Sequence, residues 1–283
     1  MQTSSGASKT VAVWGPAGSP GKSTVALNLA CELALTGASV FLLDLDLVAP
    51  SLAQMLGLTE HPAGLAAACR LAAQGRFDIV QLERLSVRVA AGKQSVTLMT
   101  GITSSSRWPE VTNESLVAVL ELASQHFDYL VLDLASSLEP GLRQSHEAIE
   151  RNQATGLALS LAEFVVAVCG ADPVSIERFL ASEPLVRQSA AGEVLILVNR
   201  LRKSVLGPSA KTQITETLAR LANLSVHAFV PDDPAVCDQA LLEAIPLALS
   251  RRSSGAKQAI AMFTQNHILG QRSRLDKRVA KLG

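Results

Sequence analysis

Side chains able to do chemistry gather at three points of this chain. The first is Gly18-Ser19-Pro20-Gly21-Lys22-Ser23-Thr24, where a Gly/Pro-rich turn closes on an apolar run. Such a turn lets backbone N–H groups converge on phosphate oxygens, and a following helix adds its own free N–H groups and positive dipole end. Lys22 offers a point charge to the β/γ-phosphates and Ser23 a hydroxyl to Mg²⁺, as in a P-loop. The second point is the pair Asp44 and Asp46, at the end of Val40-Phe41-Leu42-Leu43. Carboxylates at the end of a buried strand are costly unless something there uses them. The third is Asp133, closing Tyr129-Leu130-Val131-Leu132 in the Walker B pattern, whose aspartate holds Mg²⁺ through water.

These residues need a scaffold that brings strand ends and a helix start together. Val11-Ala12-Val13-Trp14 reads as a strand into the turn, and residues 23–36 as the helix leaving it, stopped by Gly37. The pattern G-x-x-x-x-G-K-[ST] places its first glycine at position 16, which is Pro16, with Gly15 one residue early. Further strands are expected at 40–46, 95–100, 129–133, 163–169, 194–198 and 226–230, with an edge strand at 85–90. Helices are expected at 50–58, 62–74, 110–126 and 152–161. Another opens at Pro173, with Asp172 as its N-cap. Trp108 reads as a partly buried packing residue. The alternation predicts an α/β fold, a doubly wound, mostly parallel sheet of seven or eight strands with helices on both faces. In an open sheet of this type ligands lie at the carboxyl ends of the strands.

Bulk composition agrees. At 48% apolar and 4% aromatic residues the core is aliphatic, and 283 residues fit one large sheet. Residues 10–270 are expected to form a single domain, between a polar tail at 1–9 and a basic tail at 271–283. Formal charge is zero overall but +7 from residue 251 onward, so the remainder carries −7. Cys31, Cys69, Cys169 and Cys237 are far apart with no C-x-x-C pair, which fits buried thiols in a reducing compartment. The apolar stretch 156–171 is broken by Glu163 and too short to span a bilayer. A cytoplasmic protein, with a peripheral position at the inner face of the membrane left open, is expected.

Ala17-Gly18-Ser19-Pro20-Gly21-Lys22-Ser23-Thr24 resembles, in register, the deviant Walker A of the MinD/ParA family, K-G-G-x-G-K-T-T. The wider string W-G-P-A-G-S-P-G-K-S-T resembles the actinobacterial branch related to CpaE/TadZ pilus-localisation proteins. The resemblance covers residues 10 to about 265, loosely over 59–110. It implies an ATP- and Mg²⁺-binding switch that dimerises on nucleotide and positions a pilus or secretion apparatus, septum or chromosome through a protein partner. It further implies that Asp46 positions the attacking water, that Asp44 lies near Mg²⁺ and Lys22, and that Asn199, Pro231 and Asp232 flank adenine. Asn199-Arg200-Leu201-Arg202 lacks the aspartate of the guanine-reading N-K-x-D, which favours ATP over GTP.

Two departures from the family stand out. Its first lysine, which reaches the partner's nucleotide across a dimer, is Ala17 here. The Pro-Ala-Gly-like switch after the Walker B aspartate is Leu134-Ala135-Ser136-Ser137. Slow turnover, below about 10 s⁻¹, is expected. A non-hydrolysing interaction scaffold and a DNA-bound segregation ATPase are the alternatives. Iron–sulfur carriers of this fold need clustered cysteines, its tyrosine kinases a tyrosine-rich tail, and its anion pumps a second P-loop; the scattered thiols, the single tyrosine and the single loop supply none of these. In the tail, Leu275, Val279 and Leu282 lie at helical spacing among basic residues. Weak membrane contact, a solvated basic helix and DNA phosphate contact all remain open there.

Overall fold

A computed structural model describes residues 7–270 except 19, 59, 61–62 and 139–145. In chain order the elements are β1 (Lys9–Trp14), α1 (Lys22–Leu35), β2 (Val40–Leu45), α2 (Leu52–Met55), α3 (Gly64–Ala73), α4 (Ile79–Leu85), β3 (Val87–Ala91) and β4 (Gln94–Met99). There follow α5 (Asn113–Ser124), β5 (Tyr129–Leu134), α6 (His146–Leu161), β6 (Phe164–Gly170), α7 (Pro173–Ser189) and β7 (Glu193–Leu201). The last are α8 (Lys203–Leu206), α9 (Ala210–Ala222), β8 (Val226–Pro231), α10 (Pro234–Leu242) and α11 (Gly255–Phe263).

The strands form one eight-stranded sheet in the order β3-β4-β2-β5-β1-β6-β7-β8. Every pairing is parallel except the β3–β4 hairpin at one edge. The doubly wound architecture expected from the sequence is therefore present. Strands β2, β5 and β6 are buried along their whole length, as continuous apolar runs must be when helices cover both faces. Alternation along β1 splits the core in two: Ala12 and Trp14 pack with α3, α5, α6, α7 and α9, whereas Val11 and Val13 pack with α1 and α11. Register sets the site, because Val13 lies opposite Asp133 on β5 and Asp133 opposite Asp44 on β2.

Several boundaries differ from expectation for local reasons. Lys9 already belongs to β1, its N–H donating to the Asp128 carbonyl at 3.0 Å, so the N-terminal tail is shorter than 1–9. The segment 75–92 holds α4 as well as the edge strand; Asp78 caps that helix by accepting from the Gln81 amide at 2.9 Å. Helix α5 starts at Asn113 rather than 110, because Thr112 caps it and residues Ser105–Glu110 form a separate 3₁₀ turn. Trp108 in that turn is half-buried against the core, as a packing residue. Strand β7 runs on to Leu201, with Arg200 at a positive φ of 57°. No helix among the described residues is long and apolar enough to cross a membrane. The tail 271–283, with its amphipathic spacing, lies outside the described residues.

Candidate functional site

The loop between β1 and α1 is anchored from two sides. Trp14 is fully buried and its indole N–H donates to the Ser136 carbonyl at 3.1 Å, tying the loop's root to the segment after β5. Asn199, at the end of β7, donates its amide to the Pro20 carbonyl at 2.8 Å. Gly21 sits at φ 91° and ψ 25°, a left-handed conformation that a Cβ would strain, and that Cβ would also strike the Asn199 amide. Gly18 is left-handed as well, at φ 109°. Helix α1 therefore begins with no side-chain cap among the described residues and no acid in its first turn. Its first N–H groups remain available, which is the condition for anion binding at a helix start. Ser19 lies outside the described residues.

Lys22 projects from that first turn into a buried acidic cluster. Its Nζ lies 2.6 Å from Asp46 Oδ2 and 3.8 Å from Asp133 Oδ1, with the residue only 8% exposed. Burial opposes its charge, but Asp133 and Asp46 outweigh that and raise its pKa. Asp46 is fully engaged, since its Oδ1 also accepts from the Val48 and Ala49 amides at 3.0 and 2.9 Å. Asp44 accepts from the Ser51 and Leu52 amides at 3.0 Å each, so it shapes the turn into α2 while lying beside Asp133. Burial, and next the Asp133 charge, push the Asp44 carboxyl up to about 7.

Asp133 differs from both. It is completely buried, and neither carboxylate oxygen has a partner in good hydrogen-bond geometry; its charge meets only Lys22 at 3.8 Å and the Ser23 hydroxyl. Burial drives its pKa up to about 6 against the pull of Lys22 and the nearby Ser23 hydroxyl. A buried carboxylate so weakly partnered is expensive, and a cation that reaches it lowers the penalty. Mg²⁺ prefers oxygen ligands, keeps several waters and takes one or two carboxylates along with substrate phosphates. Asp133 with the Ser23 hydroxyl fits that requirement. Among the described residues no group of three or more His, Cys, Asp and Glu could hold a metal.

Beyond the loop a cleft of about 330 Å³ opens between β7, β8 and α10. Gly21 and Thr24 line it from the loop and α1, and Asn199, Arg200, Pro231 and Asp232 line it from β7, β8 and the loop after β8. Its volume lies in the range of small-molecule pockets, roughly 300–1,000 Å³. Asp232 is held by an ion pair to Arg202 at 3.3 Å and by donating its amide to the Leu201 carbonyl at 3.0 Å. The backbone of α1 is itself fixed here: Asn28 donates to the Thr24 carbonyl at 2.7 Å and accepts from the Ala248 amide at 2.8 Å. A larger depression of about 670 Å³ between α7 and α9, lined by Leu180, Pro184 and Leu221, holds none of the loop or acidic residues.

The structure thus gathers Gly18, Pro20, Gly21, Lys22, Ser23, Thr24, Asp44, Asp46, Asp133, Asn199, Pro231 and Asp232 at one end of the sheet, the carboxyl ends of β1, β2, β5, β7 and β8. Asp172 stays apart as a helix cap, accepting from the Ser175 amide at 3.0 Å and the Ser175 hydroxyl at 2.6 Å. Two contacts were not legible in the sequence: the Trp14–Ser136 tie and an arginine, Arg178 of α7, whose Nη1 donates to the Ala17 carbonyl at 3.4 Å. Separations of 122 and 161 residues leave no local signal for either.

Comparison with known proteins gives a consistent picture. The ParA family model, described as NUBPL iron-transfer P-loop NTPase, matches residues 6–135, a little under half of the chain. An uncharacterised ATP-binding protein of Methanocaldococcus jannaschii is 25% identical over 252 residues, 88% of this chain and 84% of that protein. Among solved structures, a ParA family ATPase from Chlorobium tepidum superposes with a TM-score of 0.75 at 16% identity, covering 92% of this chain and 99% of that one. The septum site-determining protein MinD of Pyrococcus horikoshii, solved with Mg-ADP, gives 0.69 at 19% identity over 92% and 95% of the two chains. Residues 6–135 thus match the ParA family model, and over nearly the whole length the chain has the fold of the ParA and MinD structures.

Proposed function

We propose that this protein is an ATP- and Mg²⁺-binding switch ATPase of the MinD/ParA type. It acts by positioning a cellular machine through nucleotide-dependent dimerisation, a pilus or secretion apparatus being the cargo to which the CpaE/TadZ-like loop string points. The observation that carries this reading is the Lys22–Asp46–Asp133 cluster set against an uncapped helix start, with the buried Asp133 carboxylate only weakly partnered by Lys22. Such a cluster has little structural merit on its own, because buried ion pairs with unsatisfied oxygens destabilise a fold as readily as they support it.

The residues divide the work. Backbone N–H groups from Gly18 to Thr24 cradle the phosphates, and Lys22 exchanges its bond to Asp46 for phosphate oxygens. Ser23 and Asp133, with Asp44 beside them, would hold Mg²⁺, which neutralises phosphate charge when bound. Asp46, already oriented by the Val48 and Ala49 amides, is placed to orient a water, and Asn199, Pro231 and Asp232 border the base. The test combines ATP hydrolysis with molecular mass in solution. Slow Mg²⁺-dependent hydrolysis and an ATP-dependent dimer, both lost in Lys22→Ala, are expected. ATP bound without hydrolysis or change of mass would move the protein to the scaffold reading, which Ala17 and the Leu134-Ala135-Ser136-Ser137 switch favour.

An iron-transfer role of the kind named by the family model fits poorly. Cys31, Cys69 and Cys169 are buried within the core, so none of the three is presented at a surface where a cluster could be shared or handed on.

A further inference from the structure

Arg178 sits in the second turn of α7 and its side chain is exposed, yet it leans across the phosphate loop rather than out to solvent. Its Nη1 donates to the Ala17 carbonyl at 3.4 Å, a long contact, and the guanidinium presses so close to Gly18 that a Cβ there would collide with it. The left-handed glycine at 18 therefore makes room for a cation as well as for the turn. Arg178 forms no ion pair among the described residues. Of the acids at this helix, Asp172 caps α7, Glu183 pairs with Arg187 at 2.9 Å, and Glu177, next in sequence to Arg178, makes no ion pair with it among the described residues.

A guanidinium has five N–H donors in a planar fork, and one weak bond leaves most of them free. Ala17 offers no side-chain donor at this end of the loop, and Lys22 approaches from the β2 and β5 side where Asp46 and Asp133 lie. Two cations thus flank the loop and the uncapped start of α1, one compensated by carboxylates and the other in no ion pair among the described residues. Anions bind where donors and uncompensated positive charge coincide, and arginine matches phosphate oxygens with its fork.

We infer that Arg178 is a phosphate-binding residue of this site, contributed by α7 of the same chain and contacting the phosphate chain of the bound nucleotide. The inference rests on the nucleotide-binding reading and adds a ligand to it.

The experiment is a fluorescence titration of N-methylanthraniloyl-ATP and -ADP with Mg²⁺ against wild type, Arg178→Ala, Arg178→Lys, Lys22→Ala and, as a control on the same helix, Glu177→Ala. Arg178→Ala should weaken ATP about tenfold or more, the range for losing a hydrogen bond to a charged group, and Arg178→Lys should recover part of the loss. Glu177→Ala should bind as wild type does. Equal ATP affinity in wild type and Arg178→Ala, with binding lost in Lys22→Ala, would overturn the inference and leave the nucleotide site standing. Absence of binding to wild type would overturn both. Weaker binding matched by a lower melting temperature without nucleotide would make Arg178 a loop brace and would also overturn the inference.

Discussion

Asp133→Asn exchanges a buried charge for a neutral amide of nearly the same shape, in a place where the charge has only Lys22 at 3.8 Å and the Ser23 hydroxyl to offset its burial. In the nucleotide-free protein burial holds this carboxyl at about 6, above the ordinary value near 4. The native state therefore binds more protons than the unfolded chain between those values, and stability falls as pH rises through that window. At pH 8 the ionised carboxylate destabilises the fold by something on the order of 1–3 kcal/mol, and Lys22 keeps its bond to Asp46 when Asp133 is neutralised. Asp44, directly opposite in register, gains too, since one cause of its raised pKa disappears. We expect Asp133→Asn to melt a few degrees above wild type at pH 8 in EDTA, at about 2–4 °C per kcal/mol for a chain of this size. The advantage should shrink as pH falls toward 4. The same variant should lose most of the Mg²⁺-dependent gain in ATP affinity, about 10–100-fold. Differential scanning calorimetry across pH with and without Mg-ATP measures both. A variant less stable than wild type at pH 8 without nucleotide, or one that keeps its Mg²⁺ dependence, refutes the reasoning.

Three further outcomes follow from the anchors of the loop. Asn199→Ala removes the bond to Pro20 and should cost about 1 kcal/mol of stability in urea titrations, with a further loss of ATP affinity. Gly21→Ala combines a left-handed backbone with a collision against Asn199; it should weaken phosphate binding more than Asn199→Ala does, measured by the same ATP titration. Asn28→Ala leaves the Ala248 amide buried without its acceptor and should destabilise by about 1–3 kcal/mol in chemical denaturation, without removing any group that borders the phosphates.

What could be read from the sequence was whatever is local. The strand–turn–helix at residues 9–35 and the Asp133 strand end announce themselves by apolar runs that stop on Gly-Lys-Ser-Thr or on an acid. The Asp172 cap before Pro173 is similarly self-contained. Helix α4 went unread although Asp78 marks its start, because it is short and only Leu82 is buried, so no apolar stripe accompanies the cap. The start of α5 was placed early because Trp108-Pro109 looks like a helix entry, whereas Thr112 has the capping side chain and the Trp-Pro pair closes a separate turn. Side-chain roles at the site divide in the same way. The sequence brings Asp44 and Asp46 to one strand end, but only packing shows Asp46 bonded to Lys22, Asp44 bonded to the amides opening α2, and Asp133 only weakly partnered. Asn199 was read as a residue beside the base; its bond to Pro20 also makes it a brace of the phosphate loop.

The central claim is that Lys22 and its acids form a nucleotide–Mg²⁺ site. Isothermal titration of ATP and of GTP, in Mg²⁺ and again in EDTA, against wild type and Lys22→Ala tests it most directly. One ATP per chain, bound more tightly in Mg²⁺ than in EDTA, preferred over GTP and lost in Lys22→Ala, is the predicted result. Heat of binding absent for both nucleotides, or present and unchanged in Lys22→Ala, contradicts it.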